Sequence, residues 1–172
     1  MKKLIVTGFG TDETGMVDRI TETILEYNGN VEESRMARLA GNFAMIMLVT
    51  VPENVEEGLS DKLKSMQGYH VVAQKASEAR AENFAGWIPY KIQVDGADHR
   101  GIIHKISHYL ARKGINVESM DTRITEAPMS GTPLFHMFSV IFASPEIPFH
   151  QLRQDIEELG DEMGVEVDVS AY

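Results

Sequence analysis

The sequence predicts an α+β chain built from two copies of one βαββαβ unit. Three observations carry this reading. Two stretches of the chain match at a single offset. Each stretch passes between strand-like and helix-like patterning in the same order. With 172 residues, 43% of them hydrophobic, the chain suits one domain or two small packed ones rather than disorder.

The repeat is found by laying Val6-Thr7-Gly8-Phe9-Gly10-Thr11-Asp12-Glu13-Thr14-Gly15-Met16-Val17 against Ile92-Gln93-Val94-Asp95-Gly96-Ala97-Asp98-His99-Arg100-Gly101-Ile102-Ile103. Asp12 meets Asp98, an offset of 86. The same offset brings Gly15 to Gly101, Ile20 to Ile106, and Asn30-Val31-Glu32 to Asn116-Val117-Glu118. That period is too long for a solenoid, so it marks a duplicated domain.

In the first copy, Lys3 to Gly8 is rich in branched residues and reads as a strand. Thr11 and Asp12 then offer helix-capping side chains. From Gly15 to Tyr27, Val17, Ile20 and Ile24 fall on one helical stripe, with Asp18, Glu22 and Glu26 opposite. Asn28-Gly29 supplies a left-handed stop. Val31–Leu39 and Asn42–Val51 form two strands around an Ala40-Gly41 hairpin. In the second of these Phe43, Met45, Met47, Val49 and Val51 alternate with Ala44, Ile46, Leu48 and Thr50. Both sets are mostly apolar, so a helix layer is expected on one face and a sheet or a partner on the other. Pro52 ends the strand. Val55, Leu59, Leu63 and Met66 mark a second helix, and Tyr69 to Gln74 a last strand.

The second copy repeats the order: a strand over Tyr90–Val94, a helix lined by Ile103, Ile106 and Leu110 and stopped at Gly114, a hairpin of Val117–Ile124 and Leu134–Ala143, a helix marked by Phe149, Leu152, Ile156, Leu159 and Met163, and a strand over Val165–Ser170. Its hairpin loop, Thr125 to Pro133, is the longer one. The domains are therefore placed at 1–75 and 90–172, joined by a connector over 76–89 whose Phe84, Trp87 and Ile88 are expected to dock on a domain. The order βαββαβ is the ferredoxin-like arrangement, two helices on one face of a four-stranded antiparallel sheet. The two copies are expected to cover each other's open faces or edges.

Charge and composition narrow the function. Sixteen basic against 26 acidic residues give a formal net charge of −10. Neither half hides a basic domain: residues 1–86 carry 9 basic and 13 acidic groups, and 87–172 carry 7 and 13. Phosphate backbones repel such a chain, so direct nucleic-acid binding is disfavoured. The absence of cysteine excludes disulfides and thiolate chemistry and suits a reducing cytoplasm. Met1 to Gly8 reads as a strand rather than a targeting segment, because its apolar part is shorter than the ~7–15 residues of a signal-peptide core. No run approaches the ~18 apolar residues of a membrane helix.

The loops Asp12-Glu13-Thr14-Gly15-Met16 and Asp98-His99-Arg100-Gly101-Ile102 join a strand to a helix. A helix N-terminus presents free N–H groups and about half a positive charge, which suits a small carboxylate. An Asp beside it can receive an amino group. Asn30 and Asn116 open the next strand, and their amides both donate and accept. Together these groups fit a zwitterion. The competing reading is structural: Asp caps the helix, Gly permits the turn, and Asn ends the helix.

These loops, each followed by an apolar-stripe helix and an Asn-Val strand start, resemble the ACT domain, a small-molecule sensing module of amino-acid metabolism. The stretch Asn30-Val31-Glu32-Glu33-Ser34-Arg35-Met36-Ala37-Arg38-Leu39, followed by Phe43 to Val51, is similar to the first repeat of the glycine cleavage system transcriptional repressor family. The resemblance implies tandem ACT domains, an amino-acid effector such as glycine, and control of a partner transcription factor by protein contact. A detached regulatory subunit of a metabolic enzyme, or a purely structural dimerisation module, would fit the same architecture. Carried over residue by residue, the resemblance points to Asp12, Gly15 and Asn30 in one copy and to Asp98, Gly101 and Asn116 in the other. Many ACT loops carry Pro before the Gly, where Thr14 and Arg100 stand here.

An enzyme is not expected. No G-x-S-x-G elbow or phosphate-binding Gly-Lys loop occurs, and Gly8-Phe9-Gly10 lacks a third glycine. No cofactor or metal is implied. His104 and His108, at i and i+4, have metal-ligand spacing but point away from the apolar stripe and read as a solvated face. His99 lies in the candidate loop, and His136 reads as structural. Met16, Met45, Met47, Met120 and Met137 occupy core-like positions. The implied partners are a small amino acid and a protein, with no membrane and with a homodimer possible through exposed sheet edges.

Overall fold

The structure of the chain, a computed structural model, describes residues 1–77 and 84–172. Two compact units divide it, Met1–Glu78 and Ala79–Tyr172. The first is built from β1 (Lys2–Thr11), α1 (Met16–Glu26), β2 (Asn30–Leu39), β3 (Asn42–Val51), α2 (Glu56–Lys64, entered through a 3-10 turn at Glu53–Val55) and β4 (Tyr69–Lys75). The second is built from β5 (Ile88–Ala97), α3 (Ile102–Arg112), β6 (Asn116–Glu126), β7 (Pro133–Ala143), α4 (Phe149–Met163) and β8 (Val165–Ala171). Each unit is the ferredoxin-like fold, with antiparallel sheet order β2-β3-β1-β4 in one and β6-β7-β5-β8 in the other.

The first strand of each unit runs further than its branched residues suggested. β1 continues to Thr11, because Gly10 still pairs with Phe43 and Thr11 with Asn42. β5 extends to Ala97 in the same way, with Gly96 opposite Phe135. The glycines are tolerated because little space is left for a side chain: a Cβ on Gly10 would meet the Gly68 carbonyl at 2.9 Å.

The helices cover one sheet face. In the first unit Ile20, Ile24, Leu59 and Leu63 pack against Leu4, Val6, Met45, Met47, Val49 and Val51. In the second, Ile106, Leu110, Leu152 and Ile156 pack against Ile92, Val94, Met137 and Ile141. Full burial of each such side chain is worth about 1.5–3 kcal/mol. Strand alternation sends Phe9, Ile46 and Val72 to the other face of the first sheet, where all three are exposed. Phe9 stacks on His70, with centroids 4.9 Å apart.

The edge strands β2 and β6 carry the same irregularity. In β2 the register against β3 shifts between Val31 and Glu33, and in β6 the register against β7 shifts between Val117 and Ser119. The extra residues, Glu32 and Glu118, are equivalent under the repeat, so the duplication extends to a β-bulge. Part of the expected connector, residues 78–83, lies outside the described residues. Of its aromatics, Phe84 and Trp87 stack edge-on upon each other, with centroids 4.8 Å apart. Among the described residues no helix is long and apolar enough to cross a membrane.

Candidate functional site

The strand-to-helix loops are the natural starting point. In the first unit β1 ends at Thr11 and the chain stays beside the hairpin for one more residue, because the Asp12 N–H donates to the Gly41 carbonyl at 2.9 Å. The helix then begins at Gly15, whose φ of 93° lies in the left-handed region that glycine enters without steric penalty. No side chain caps α1, which corrects the expectation that Asp12 or Thr11 does so. The early left-handed turn leaves Asp12 short of the helix start. Its carboxylate instead faces Arg38 at the end of β2, 3.5 Å away. Glu13 lies 4.0 Å from Arg19, and Arg19 also donates to the Tyr69 hydroxyl. Thr14 is exposed and Met16 is buried as the first core residue of α1. The tip itself is open: a Cβ at Gly15 would meet nothing within 4 Å.

The second loop repeats this backbone with different side chains. The Asp98 N–H donates to the Pro133 carbonyl at 2.9 Å. Gly101 has φ 98° and α3 again has no side-chain cap, so Asp98 is no more a cap than Asp12. Arg100 is exposed, Ile102 is buried, and the Gly101 tip is as open as that of Gly15. His99 turns away from the tip. Its Nε2 lies 2.8 Å from the carbonyl of Met163, the last residue of α4, where a helix C-terminus favours a donor or a positive charge.

Strand register corrects the expectation that each asparagine lies beside its own loop. Asn30 is opposite Thr50, and Thr50 is opposite Lys3, near the start of β1. Asp12 follows the far end of that strand. At ~3.3 Å per residue the two ends of β1 are about 30 Å apart. In the second unit Asn116 pairs with Phe142, which pairs with Pro89, again the end of the sheet opposite Asp98. The cause is topological. The helix runs back along the sheet, so the strand after it starts where the first strand started. Asn30 lines a cleft of about 520 Å³ beside the C-terminal half of α1, together with Glu22 and Leu25.

Comparison with known proteins agrees with this architecture. An ACT-domain family model matches residues 2–74 and a second ACT-domain model matches residues 90–161. The chain is a tandem ACT-domain protein. Over 139 residues, 78% of this chain and 71% of the relative, it is 26% identical to the glycine cleavage system transcriptional repressor of Escherichia coli strain K12. The crystal structure of an unknown protein from Galdieria sulphuraria superposes with a TM-score of 0.85 at 28% identity, covering 99% of this chain and 98% of that one. A UPF0237 protein of Methanopyrus kandleri is 38% identical over 53 residues, 31% of this chain and 59% of the relative.

Two features of the ACT domains went unread in the sequence. The first is the arginine pair at the first loop. Arg19 and Arg38 lie on α1 and β2, and only the fold brings them to Glu13 and Asp12. The second is a polar cluster on the open face of the second ACT sheet. Gln93 and Asp95 alternate with the buried Ile92 and Val94, so they project from the face away from the helices. The His136 Nδ1 lies 2.5 Å from the Asp95 carboxylate, the Gln93 amide donates to its other oxygen at 2.7 Å, and Thr125 reaches the His136 Nε2 at 2.8 Å. Hydrogen bonding from Gln93 first, and then from His136, holds the Asp95 carboxyl below the usual carboxylate range. Gln93, Asp95 and His136 line a cleft of about 490 Å³ with Arg123 and Phe138. Period-2 alternation places Gln93 and Asp95 on one face, but nothing local ties them to His136, 41 residues on. His104 and His108 are exposed. Among the described residues no three His, Cys, Asp or Glu side chains gather as a metal site.

Proposed function

We propose that the chain is a non-catalytic sensor in which a small amino acid, glycine first among the candidates, settles on an ACT loop and alters the affinity for a protein partner, a transcription factor of amino-acid metabolism. The observation that carries this reading is the pair of open helix tips at Gly15 and Gly101, neither of them capped by a side chain. A ligand carboxylate at such a tip gains about 0.3–1 kcal/mol from the helix dipole beyond its hydrogen bonds. In the first ACT domain Arg19 and Arg38 add cations, while Asp12 and Glu13 can take an ammonium. In the second, Arg100 and Asp98 divide the same tasks.

Because each ACT domain sets its loop and its asparagine at opposite ends of the sheet, one domain cannot supply both to one ligand. Asn30 or Asn116 completes a pocket only against the loop of another ACT domain. The effector then acts by linkage: it moves the partner equilibrium by the difference of its affinities for the two assemblies. The reading keeps the ACT domains at 1–75 and 90–172, with 76–89 as their connector, and places the protein in the cytoplasm without direct contact to nucleic acid.

Calorimetry of the full chain against a panel of amino acids tests it. Binding of at least one small amino acid is expected, weakened by Asp12→Ala or Arg100→Ala. Silence across the panel overturns it. A pull-down then identifies the partner class; recovery of a metabolic enzyme without a transcription factor favours the role of a detached regulatory subunit instead.

A further inference from the structure

The two ACT domains share a backbone, yet the open faces of their sheets carry different chemistry. In the second, strand pairing sets three rows side by side on the face away from the helices: Asp121 and Arg123 on β6, Phe138 and His136 on β7, Gln93 and Asp95 on β5. Asp121 and Gln93 flank Phe138, while Arg123 and Asp95 flank His136. In the first domain the same six places hold Arg35 and Ala37, Ile46 and Ala44, Thr7 and Phe9. That sheet forms without a polar network, so the network of the second is not a requirement of the fold. Its members are held in place. The His136 ring is engaged at both nitrogens, by Asp95 at 2.5 Å and by Thr125 at 2.8 Å, and the Asp95 carboxylate accepts a further bond from Gln93 at 2.7 Å. Arg123 and Asp121 stand apart from this network. Among the described residues neither enters an ion pair. Both line the cleft of about 490 Å³ together with Phe138, which is 41% exposed. A cleft of that size falls within the roughly 300–1,000 Å³ of small-molecule sites.

We propose that this cleft is a second effector site whose ligand is an aromatic α-amino acid: the carboxylate meets Arg123, the ammonium meets Asp121, and the ring lies against Phe138. Arg123 and Asp121 are two residues apart on one strand, about 6.6 Å at ~3.3 Å per residue, a span that the two charges of an α-amino acid bridge with a hydrogen bond at each end. The guanidinium fork matches a carboxylate in geometry as well as in charge. Asp95 does not compete for it, because His136 and Gln93 already bond to that carboxylate. The balance of charge disfavours simpler ligands. Within the cleft two carboxylates, Asp95 and Asp121, outnumber the one guanidinium, so a plain anion is repelled, while a plain cation meets Arg123. Glycine has the right charges but leaves Phe138 bare and most of the cleft to water, whereas an aromatic ring pairs with Phe138 by offset stacking or edge-to-face contact. The site uses neither the Gly15 nor the Gly101 tip, so it goes beyond the sensing role proposed for the loops and stands or falls apart from it.

Isothermal titration of the full chain with L-phenylalanine tests the site. Saturable binding is expected, weakened roughly tenfold or more by Arg123→Ala, by Asp121→Asn or by Phe138→Ala. Phenethylamine, which lacks the carboxylate, and hydrocinnamate, which lacks the ammonium, are each expected to bind about tenfold or more weakly than L-phenylalanine. Glycine is expected not to displace it. Asp12→Ala and Arg100→Ala, which test the loops, are expected to leave the L-phenylalanine affinity unchanged, so the failure of one site is distinguishable from the failure of the other. Circular dichroism of each variant confirms that these exposed changes leave the fold intact. No binding at millimolar L-phenylalanine, equal binding of either one-charge analogue, an affinity indifferent to Arg123→Ala and Asp121→Asn, or an affinity lost in the loop variants overturns the proposal.

Discussion

Gly160 of α4 lies flush against Val167 of β8: a Cβ on Gly160 would sit 2.4 Å from the Val167 Cγ2 and 3.0 Å from the Val165 carbonyl oxygen. Helix propensity alone would favour alanine there by up to about 1 kcal/mol. The clash is with a β-branched side chain and a backbone oxygen, neither of which yields easily, and overpacking of this kind costs about 1–3 kcal/mol. Gly160→Ala is therefore expected to destabilise the second ACT domain in urea denaturation. Gly58→Ala in α2 is the contrast. Its nearest neighbour is the Tyr27 ring edge at 3.1 Å, which can shift, so that substitution is expected to be neutral or stabilising.

The left-handed helix starts give a second prediction. Gly15 and Gly101 have room for a methyl group but hold φ near +95°, 93° and 98° respectively. The penalty for alanine is conformational, about 1–2 kcal/mol at each site. Gly15→Ala and Gly101→Ala are expected to lower stability by that amount, whereas Thr14→Ala is expected to change it by less than about 0.5 kcal/mol. Equal losses at all three positions would refute the assigned helix starts.

Core truncation gives a third. Leu59 and Ile156 are fully buried, each in the helix layer of its own unit. Leu59→Ala and Ile156→Ala are each expected to cost about 2–5 kcal/mol, the spread reflecting how far each cavity collapses. Chemical denaturation followed by far-UV circular dichroism measures both.

A fourth concerns Asp95. Its folded pKa lies below the ordinary carboxylate value because the Gln93 amide and then His136 favour the ionised form. The associated stabilisation is complete above the unfolded-state pKa of about 3.9 and is lost as pH falls through the lower folded value. Gln93→Leu is expected to move the Asp95 titration upward and to narrow the difference in stability between pH 7 and the acid range. Carbon-detected NMR of the carboxyl group reads the shift directly; an unmoved titration would show that the Gln93 contact is not formed in solution.

Much of the fold was written in local pattern. Val17, Ile20 and Ile24 mark α1, the alternation from Phe43 to Val51 marks β3, and Asn28-Gly29 and Gly114 mark helix stops, because each is a short-range consequence of chain geometry. The errors came where a remote partner decided the outcome. Gly10 extends a strand only because Phe43 pairs with it. Asp12 leaves the cap position for Arg38, a residue on another strand. His99 bonds to Met163, 64 residues away, and no feature near His99 announces it. Sequence proximity points each asparagine to the loop end of the sheet, but helical return sets where the second strand begins and puts it at the other end.

The bulges at Glu32 and Glu118 bear on how the molecule avoids its own kind. Exposed borders of antiparallel sheets invite foreign strands to add on, the first step toward fibrous growth. A kink carrying a carboxylate, repeated at the same point on β2 and β6, interrupts any incoming ladder after at most seven residues on β2. Duplicating the domain thus doubled the number of vulnerable borders and copied the safeguard along with them.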